Sequence, residues 1–305
     1  VFSGNATKRF NANITVNGNL TVTATGVVDN LSSKNITLYG DWSNNNGLSG
    51  FQPNNGTVIF TGGSAQTIAH TAGQTFYRID VNKTTGTTLT ATNNLSLSNR
   101  LLMTDGIFIM GSNSLTGAAS LVFDGGELRL GATGVTVPQL AGTYTINAGL
   151  ITFNGAGAQT IRSSASAPAI SAYANVQFAG SGTKTLSGAI TVNNNLTIGG
   201  TADLDASASN FGINLKGNWT STSTFTPRNG TVSLTGTTSQ TINRTGGETF
   251  YNLTINNTAA ASSVILGSAV TVTNLMTFTD GIVVFTSSNL LTLAVAAPTA
   301  SFFDA

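Results

Sequence analysis

The stretch ITVNGNLTV, Ile14–Val22, returns as ITVNNNLTI at Ile190–Ile198. Each copy holds two triplets, I-T-V and L-T-V or L-T-I, in which apolar and polar residues alternate. A period of two gives a strand with one face buried and the other in water. The N-G-N or N-N-N between the triplets supplies residues that tolerate positive φ, which a tight corner needs. Thr, Asn, Gly and β-branched side chains all disfavour a helix in such a segment.

Working outward, the same doubling continues. ITLYGDW at Ile36–Trp42 returns as INLKGNW at Ile213–Trp219, and FQPNNGTVIFTG at Phe51–Gly62 as FTPRNGTVSLTG at Phe225–Gly236. GQTFYRIDV at Gly73–Val81 returns as GETFYNLTI at Gly247–Ile255, and TDGI at Thr104–Ile107 returns at Thr279–Ile282. The offsets stay between 174 and 177, so residues 14–117 and 190–293 are one long repeat. A divergent partial copy occupies 149–189, where ITFNGAGAQTI at Ile151–Ile161 echoes VIFTGGSAQTI at Val58–Ile68. No linker-like composition separates the copies, which predicts one continuous segment over 1–305.

A shorter beat runs inside the long one. Strand starts are predicted at Ile14, Ile36, Val58, Ile79 and Leu101, spaced 22, 22, 21 and 22, and later near Ile190, Ile213, Val232 and Ile255. A beat of about 21 residues with two or three short strands fits one coil of an all-β, right-handed parallel β-helix, or β-solenoid. About fourteen coils stacked at roughly 4.8 Å would make a rod on the order of 65–70 Å long. Ile14, Val16, Leu20 and Val22 would point inward, with Asn and Thr ladders at corners and on outer faces. The alternative is a series of tandem β-sandwich modules, which the half-period of about 95 residues keeps open.

Composition narrows the function. Charged residues make up 8% of the chain, against about 25% in an ordinary soluble domain. Twelve Lys and Arg face eleven Asp and Glu, so no basic stripe of the kind that neutralises phosphates is legible, which argues against a nucleic-acid partner. Cysteine is absent and His70 is the single histidine, which excludes disulfides and thiolate or multi-histidine metal sites. No apolar run is long enough for a membrane-spanning helix; the longest, Leu290–Ala297, is broken by Thr292 and followed by Pro298. Val1 in place of an initiating methionine, and the ending at Asp304 and Ala305, are read as cuts from a longer polypeptide.

The order G-D/N-W, F-x-P-x-N-G-T-V, A-Q-T-I, T-F-Y and T-D-G-I, running from about Asn13 to Leu293, resembles the repeat arrays of giant secreted surface proteins of Bacteroidota. These include gliding-motility adhesins exported by the type IX secretion system. The resemblance implies an extracellular, cell-surface location and a role as a filament or stalk. It also implies a carboxy-terminal sorting region outside this sequence that engages the secretion machinery.

Parallel β-helices also host polysaccharide lyases and glycosidases, which need ionisable groups gathered around a bond. Glycosidases use two carboxyl groups across a bond, and only Asp124 with Glu127 and Asp203 with Asp205 lie close in sequence. FDGGEL reads as a Gly-Gly turn between strands, with its carboxylates solvated. Asp203 and Asp205 would share a strand face with no Lys or Arg near them in sequence. Asp105 and Asp280, in the repeated T-D-G-I, read as turn residues. His70 aligns with Arg244 in the other copy, which makes it a poor general base and predicts a surface-loop histidine. The basic residues are scattered, Lys8 and Arg9 being the one adjacent pair.

Asp124 and Glu127 are the sole candidates for a weak calcium ion. T-x-T patterns at Thr21–Thr23, Thr88–Thr90 and Thr220–Thr226 do not recur at one fixed place, so a flat threonine array is not expected. The equivalent aromatics Trp42 and Trp219, Phe76-Tyr77 and Phe250-Tyr251 read as core stacks. The N-x-S/T sequons at Asn13, Asn19, Asn35, Asn195 and Asn252 read as turn and strand-end asparagines. No residue is assigned a catalytic, cofactor or metal role. The expectation is a structural stalk segment of a surface adhesin, making weak multivalent contact with polysaccharide or a solid surface. A carbohydrate-active β-helix enzyme and a self-assembling filament subunit are the alternatives.

Overall fold

A three-residue strand cannot hold itself together, because its backbone donors and acceptors need partners on both sides. Here the partners come from the segments one beat earlier and one beat later. The computed structural model describes residues 1–71 and 73–294, which form a parallel β-solenoid of about 13 turns with ~22 residues per coil. The expected fourteen coils of 21 residues are thus slightly fewer and longer. The described residues contain no α-helix, only the short 3₁₀ turns Leu31–Ser33 and Gly47–Gly50. Every strand pairing among them is parallel, which removes the β-sandwich alternative. Of the apolar run Leu290–Ala297, residues 295–297 lie outside the described residues, as do Pro298, Asp304 and Ala305.

Contacts divide the chain into two compact units, residues 1–132 with 137–152, and residues 133–136 with those from 153 onward. In the first unit, one sheet stacks Ile14–Val16, Ile36–Leu38, Thr57–Gly62, Thr75–Lys83, Leu95–Asp105, Ser120–Phe123 and Tyr144–Ile146. Its register aligns Ile14, Ile36, Val58, Ile79, Leu101, Leu121 and Tyr144, so the five predicted starts are the residues that pair. A second sheet begins with Leu20–Val22, Trp42–Asn44, Gln66–His70 and Thr88–Ala91. A third side, made of Thr7–Arg9, Val27–Asp29 and Phe51–Gln52, stops after three coils.

The second unit repeats the plan. Ile190, Ile213, Val232, Leu253 and Met276 are successive partners. The start expected at Ile255 therefore lies two residues earlier, at Leu253, while Ile255 pairs with Leu234. The alternation is the same for either choice, and only the coil length separates them. A third side of Gln159–Ile161, Ser181–Leu186, Thr201–Asp205 and Thr224–Thr226 again ends at the F-x-P-x-N-G motif.

One coil after each third side ends, the chain runs into a nine-residue strand, Thr75–Lys83 or Glu248–Asn256. Both strands break register with the next at matching places, Phe76/Arg78 and Val81/Asn82 in one, Phe250/Asn252 and Ile255/Asn256 in the other. The space inside these coils is closed by aromatics. Trp42 meets Phe51 at 4.7 Å and Phe76 at 5.2 Å, edge to face. Trp219 meets Phe225 at 4.9 Å and Phe250 at 5.2 Å in the same way. Such pairs contribute about 0.5–1.5 kcal/mol each beyond the area they bury.

Backbone approach fixes Gly117, whose φ of +109° places a hypothetical Cβ 2.1 Å from the Leu97 carbonyl oxygen. Any side chain there would collide with the coil beneath.

Candidate functional site

The carboxylates singled out in the sequence are each held by the coil architecture. Asp124 is exposed in the turn between Ser120–Phe123 and Glu127–Leu130, and it accepts a hydrogen bond from Asn147 Nδ2 at 2.7 Å. Glu127 is not simply solvated as its sequence position suggested. It takes two hydrogen bonds from Arg129, at 2.9 and 2.8 Å, and one from Thr152 Oγ1 at 2.6 Å. Burial pushes its pKa up, but the Arg129 and Thr152 hydrogen bonds outweigh that, leaving the carboxyl below its ordinary value.

Asp203 and Asp205 do share the outer face of Thr201–Asp205. Asp203 accepts from Thr226 Oγ1 at 2.9 Å. Asp205 does have a cation, which sequence proximity hid: Arg228, one coil on, bridges both its oxygens at 2.9 and 2.7 Å. Those hydrogen bonds hold the Asp205 carboxyl below its usual range. The same lock occurs in the other copy, where Asn54 Nδ2 donates to Asp29 at 2.6 Å and Arg9 Nε donates to it at 3.1 Å. Asn54 and Arg228 both sit at positive φ, +45° and +51°, which aims their side chains at the coil before.

Asp105 and Asp280 are not turn residues but the last residues of strands Leu95–Asp105 and Val270–Asp280, paired with Asn82 and Asn256; Asp105 accepts from Gly106 N at 2.6 Å and from Thr85 Oγ1 at 2.6 Å. Gly106 and its counterpart Gly281 carry φ of +85° and +108°, as the turn after each strand requires.

His70 is a correction. It closes strand Gln66–His70 and is 8% exposed, so it is a buried strand residue and not a surface-loop one. Its Nε2 lies 2.8 Å from the Asn94 carbonyl oxygen, and its buried Nδ1 has no partner among the described residues. Arg244, its counterpart, donates to the Ser223 and Gly247 carbonyl oxygens and lies 3.8 Å from buried Glu248. Burial raises the Glu248 pKa, partly offset by the hydrogen bond from Trp219 Nε1 at 2.7 Å. Trp42, Trp219, Phe76 and Phe250 are fully buried, as a core role requires, whereas Tyr77 and Tyr251, also expected in core stacks, are partly exposed because they alternate with buried neighbours. Lys8 Nζ donates to the Ala6 carbonyl oxygen at 2.7 Å.

On the outer face of the second sheet, Thr21 pairs with Ser43 and Ser43 with Ala69, while Thr90 pairs with Thr67 and Ile109. These rows mix Thr with Ser, Ala and Ile.

The sequence reading missed three buried polar plugs, although the repeated Q-T-I carried the signal. Gln66 donates to the Leu38 and Gly40 carbonyl oxygens, and Lys83 Nζ donates to Gln66 Oε1 and the Ser64 carbonyl oxygen. In the other copy Gln240 donates to the Leu215 and Gly217 carbonyl oxygens, and Asn257 takes the place of Lys83. In the partial copy Lys184 pairs in register with Gln159 and donates to the carbonyl oxygens of Gly155, Gly157 and Ser181. These groups satisfy carbonyl oxygens of the turns.

One accessible surface of the second unit is rich in neutral polar groups. In the second unit the corner asparagines form a ladder. Asn175, Asn195 and Asn218 each accept a backbone N–H from the next coil, at 3.1, 2.9 and 2.8 Å. The sequon residues Asn13 and Asn19 do the same in the first unit. Beside the ladder lies an open groove of about 390 Å³ lined by Asn193, Asn194, Lys216, Asn218, Thr238 and Ser239, among others. Amides, hydroxyls and one ammonium suit a hydroxyl-rich ligand. Among the described residues no three His, Asp or Glu side chains gather where an ion could be held. No helix among them is long and apolar enough to cross a membrane.

Fold and surface together define a parallel β-solenoid repeat protein. Comparison of the chain with family models, curated proteins and solved structures found no match.

Proposed function

We propose that the chain is a structural stalk segment of an extracellular repeat adhesin, non-enzymatic, that spaces and presents weak polysaccharide- or surface-contacting faces. The observation that carries this reading is which residues the two copies share. Trp42 and Trp219, Gln66 and Gln240, Asp29 and Asp205 are equivalent, and each closes or locks a coil. Residues copied for chemistry would converge on a cleft, whereas these serve neighbour-to-neighbour stacking, the basis of stability in repeat proteins.

The polar groove and Asn ladders support weak contact with hydroxylated ligands, strengthened by multiplicity along a long parent polypeptide. The likeness to Bacteroidota surface arrays supports type IX export, display on the cell surface and a part in attachment or gliding.

The test is a panel of neutral and acidic polysaccharides read both for retention of the protein and for release of reducing or unsaturated ends. The expected result is reversible retention on some polymers with no product. Turnover that is lost in Asp124→Asn would overturn the proposal.

A further inference from the structure

The register joins two of the scattered cations. On one sheet of the first unit, Thr57, Arg78, Arg100 and Ser120 are successive Cα partners. The register break at Phe76/Arg78 leaves both Tyr77 and Arg78 partly exposed, with Asn99 and Arg100 beside them one coil on. Coils stack on the order of 4.8 Å apart, so two guanidinium side chains leave the same face as direct neighbours. Like charges directly opposite on adjacent strands are destabilising.

Compensation within the protein is partial. Arg100 Nη2 donates to both Asp80 oxygens, at 2.9 and 3.1 Å, yet its buried Nε has no partner among the described residues. Arg78 gives Nε to Asn99 Oδ1 at 2.7 Å, and its guanidinium carbon lies 5.0 Å from the Tyr77 ring centroid. It makes no ion pair with any described carboxylate.

The coil does not need this pair. The second unit has the same register break, with Asn252 at the place of Arg78, Leu275 at that of Arg100 and Thr254 at that of Asp80. Asn274 there hydrogen-bonds Asn252 at 2.7 Å. One copy thus builds the feature from neutral residues, and the other spends two arginines on it.

We infer that Tyr77, Arg78 and Arg100 form a binding site for an anionic sugar, a carboxylate or sulfate group carried on a hydroxyl-rich polymer. The guanidinium fork takes such oxygens two at a time. Ser120, hydrogen-bonded to Thr143 at 3.0 Å, adds hydroxyls beside it. Asp80 within the patch disfavours a densely charged phosphate polymer, which needs an uninterrupted basic track. The inference rests on the stalk reading only in placing polysaccharide within reach.

The experiment is affinity electrophoresis of the whole chain in gels containing polygalacturonate, dextran sulfate or neutral dextran, with single-stranded DNA as a further polyanion. The variants are Arg78→Asn and Arg100→Leu, each the residue of the other copy, together and singly. Their thermal melts establish that the fold is kept.

Retardation by an acidic polymer, at least tenfold weaker in the double variant, is the expected result. Polygalacturonate or dextran sulfate acting alone would identify the group as carboxylate or sulfate. No retardation by either acidic polymer, equal retardation of wild type and double variant, or equally strong capture by DNA would overturn the inference. Failure here with retention on other polysaccharides would leave the stalk reading intact, whereas product release from any polymer would sink that reading and not this one.

Discussion

The corner lock shows how single residues carry the coil. Asp29 and Asp205 each receive a side chain from the F-x-P-x-N-G turn one coil later, Asn54 in one copy and Arg228 in the other. The residue after each aspartate donates its backbone N–H at 3.0 Å to the equivalent carbonyl oxygen, of Gln52 or Thr226. Their side chains differ, however. Asn30 is fully buried with neither side-chain atom hydrogen-bonded, while Ala206 fills the same place with a methyl group. A buried amide without partners costs roughly 1–3 kcal/mol, and the space left by truncation returns part of that. Asn30→Ala is therefore expected to raise the stability of the protein by about 1 kcal/mol in denaturant melts, and a loss of that size would show that the amide is satisfied after all. This defect was not legible in the sequence, because the repeat places Asn against Ala without saying which way either points. His70 was misread for a related reason: a polar residue at a strand end reads as exposed, yet the alternation that makes Gln66 and Ile68 inward makes His70 inward too.

Between elements, the buried amino groups of Lys83 and Lys184 tie strands to the turns of the preceding coil. Burial lowers both pKa values, that of Lys184 to about 8. The folded state therefore releases this proton at lower pH than the unfolded chain, whose lysine keeps it up to the ordinary 10.5. Stability from this group accordingly rises with pH across that window. Lys184→Met should remove the rise and, by stripping donors from the carbonyl oxygens of Gly155, Gly157 and Ser181, cost about 2 kcal/mol or more near neutral pH. Denaturant melts of both proteins at pH 7.5 and at pH 10 decide it; a Lys184→Met protein as stable as wild type at both would refute the tie. Strands themselves were legible. The alternating triplets gave Ile14, Ile36, Val58, Ile79 and Leu101 as partners because coil length there varies by only one residue. The step from Val232 was not, since Leu253 and Ile255 are both inward and both apolar. The Arg78–Arg100 pairing also depends on a register break, which no alternation reveals.

For the molecule as a whole, stacking is the claim on which stalk, groove and arginine pair all rest. Twenty-odd residues separate neighbours in space, so the backbone ladder is long-range in sequence and stands or falls with coil length. The absence of cysteine makes it directly testable. Thr15, Thr37 and Ile59 are consecutive partners on one outer face, Thr15 against Thr37 and Thr37 against Ile59. Disulfides form when Cα atoms lie about 4.4–6.8 Å apart, a range that one coil spacing meets and two exceed. Thr15→Cys with Thr37→Cys should oxidise to an intramolecular disulfide, seen as loss of free thiol and a faster non-reducing band. Thr15→Cys with Ile59→Cys should keep both thiols under the same oxidant. Closure of the second pair, or failure of the first in a protein that melts normally, would contradict the stacked-coil account.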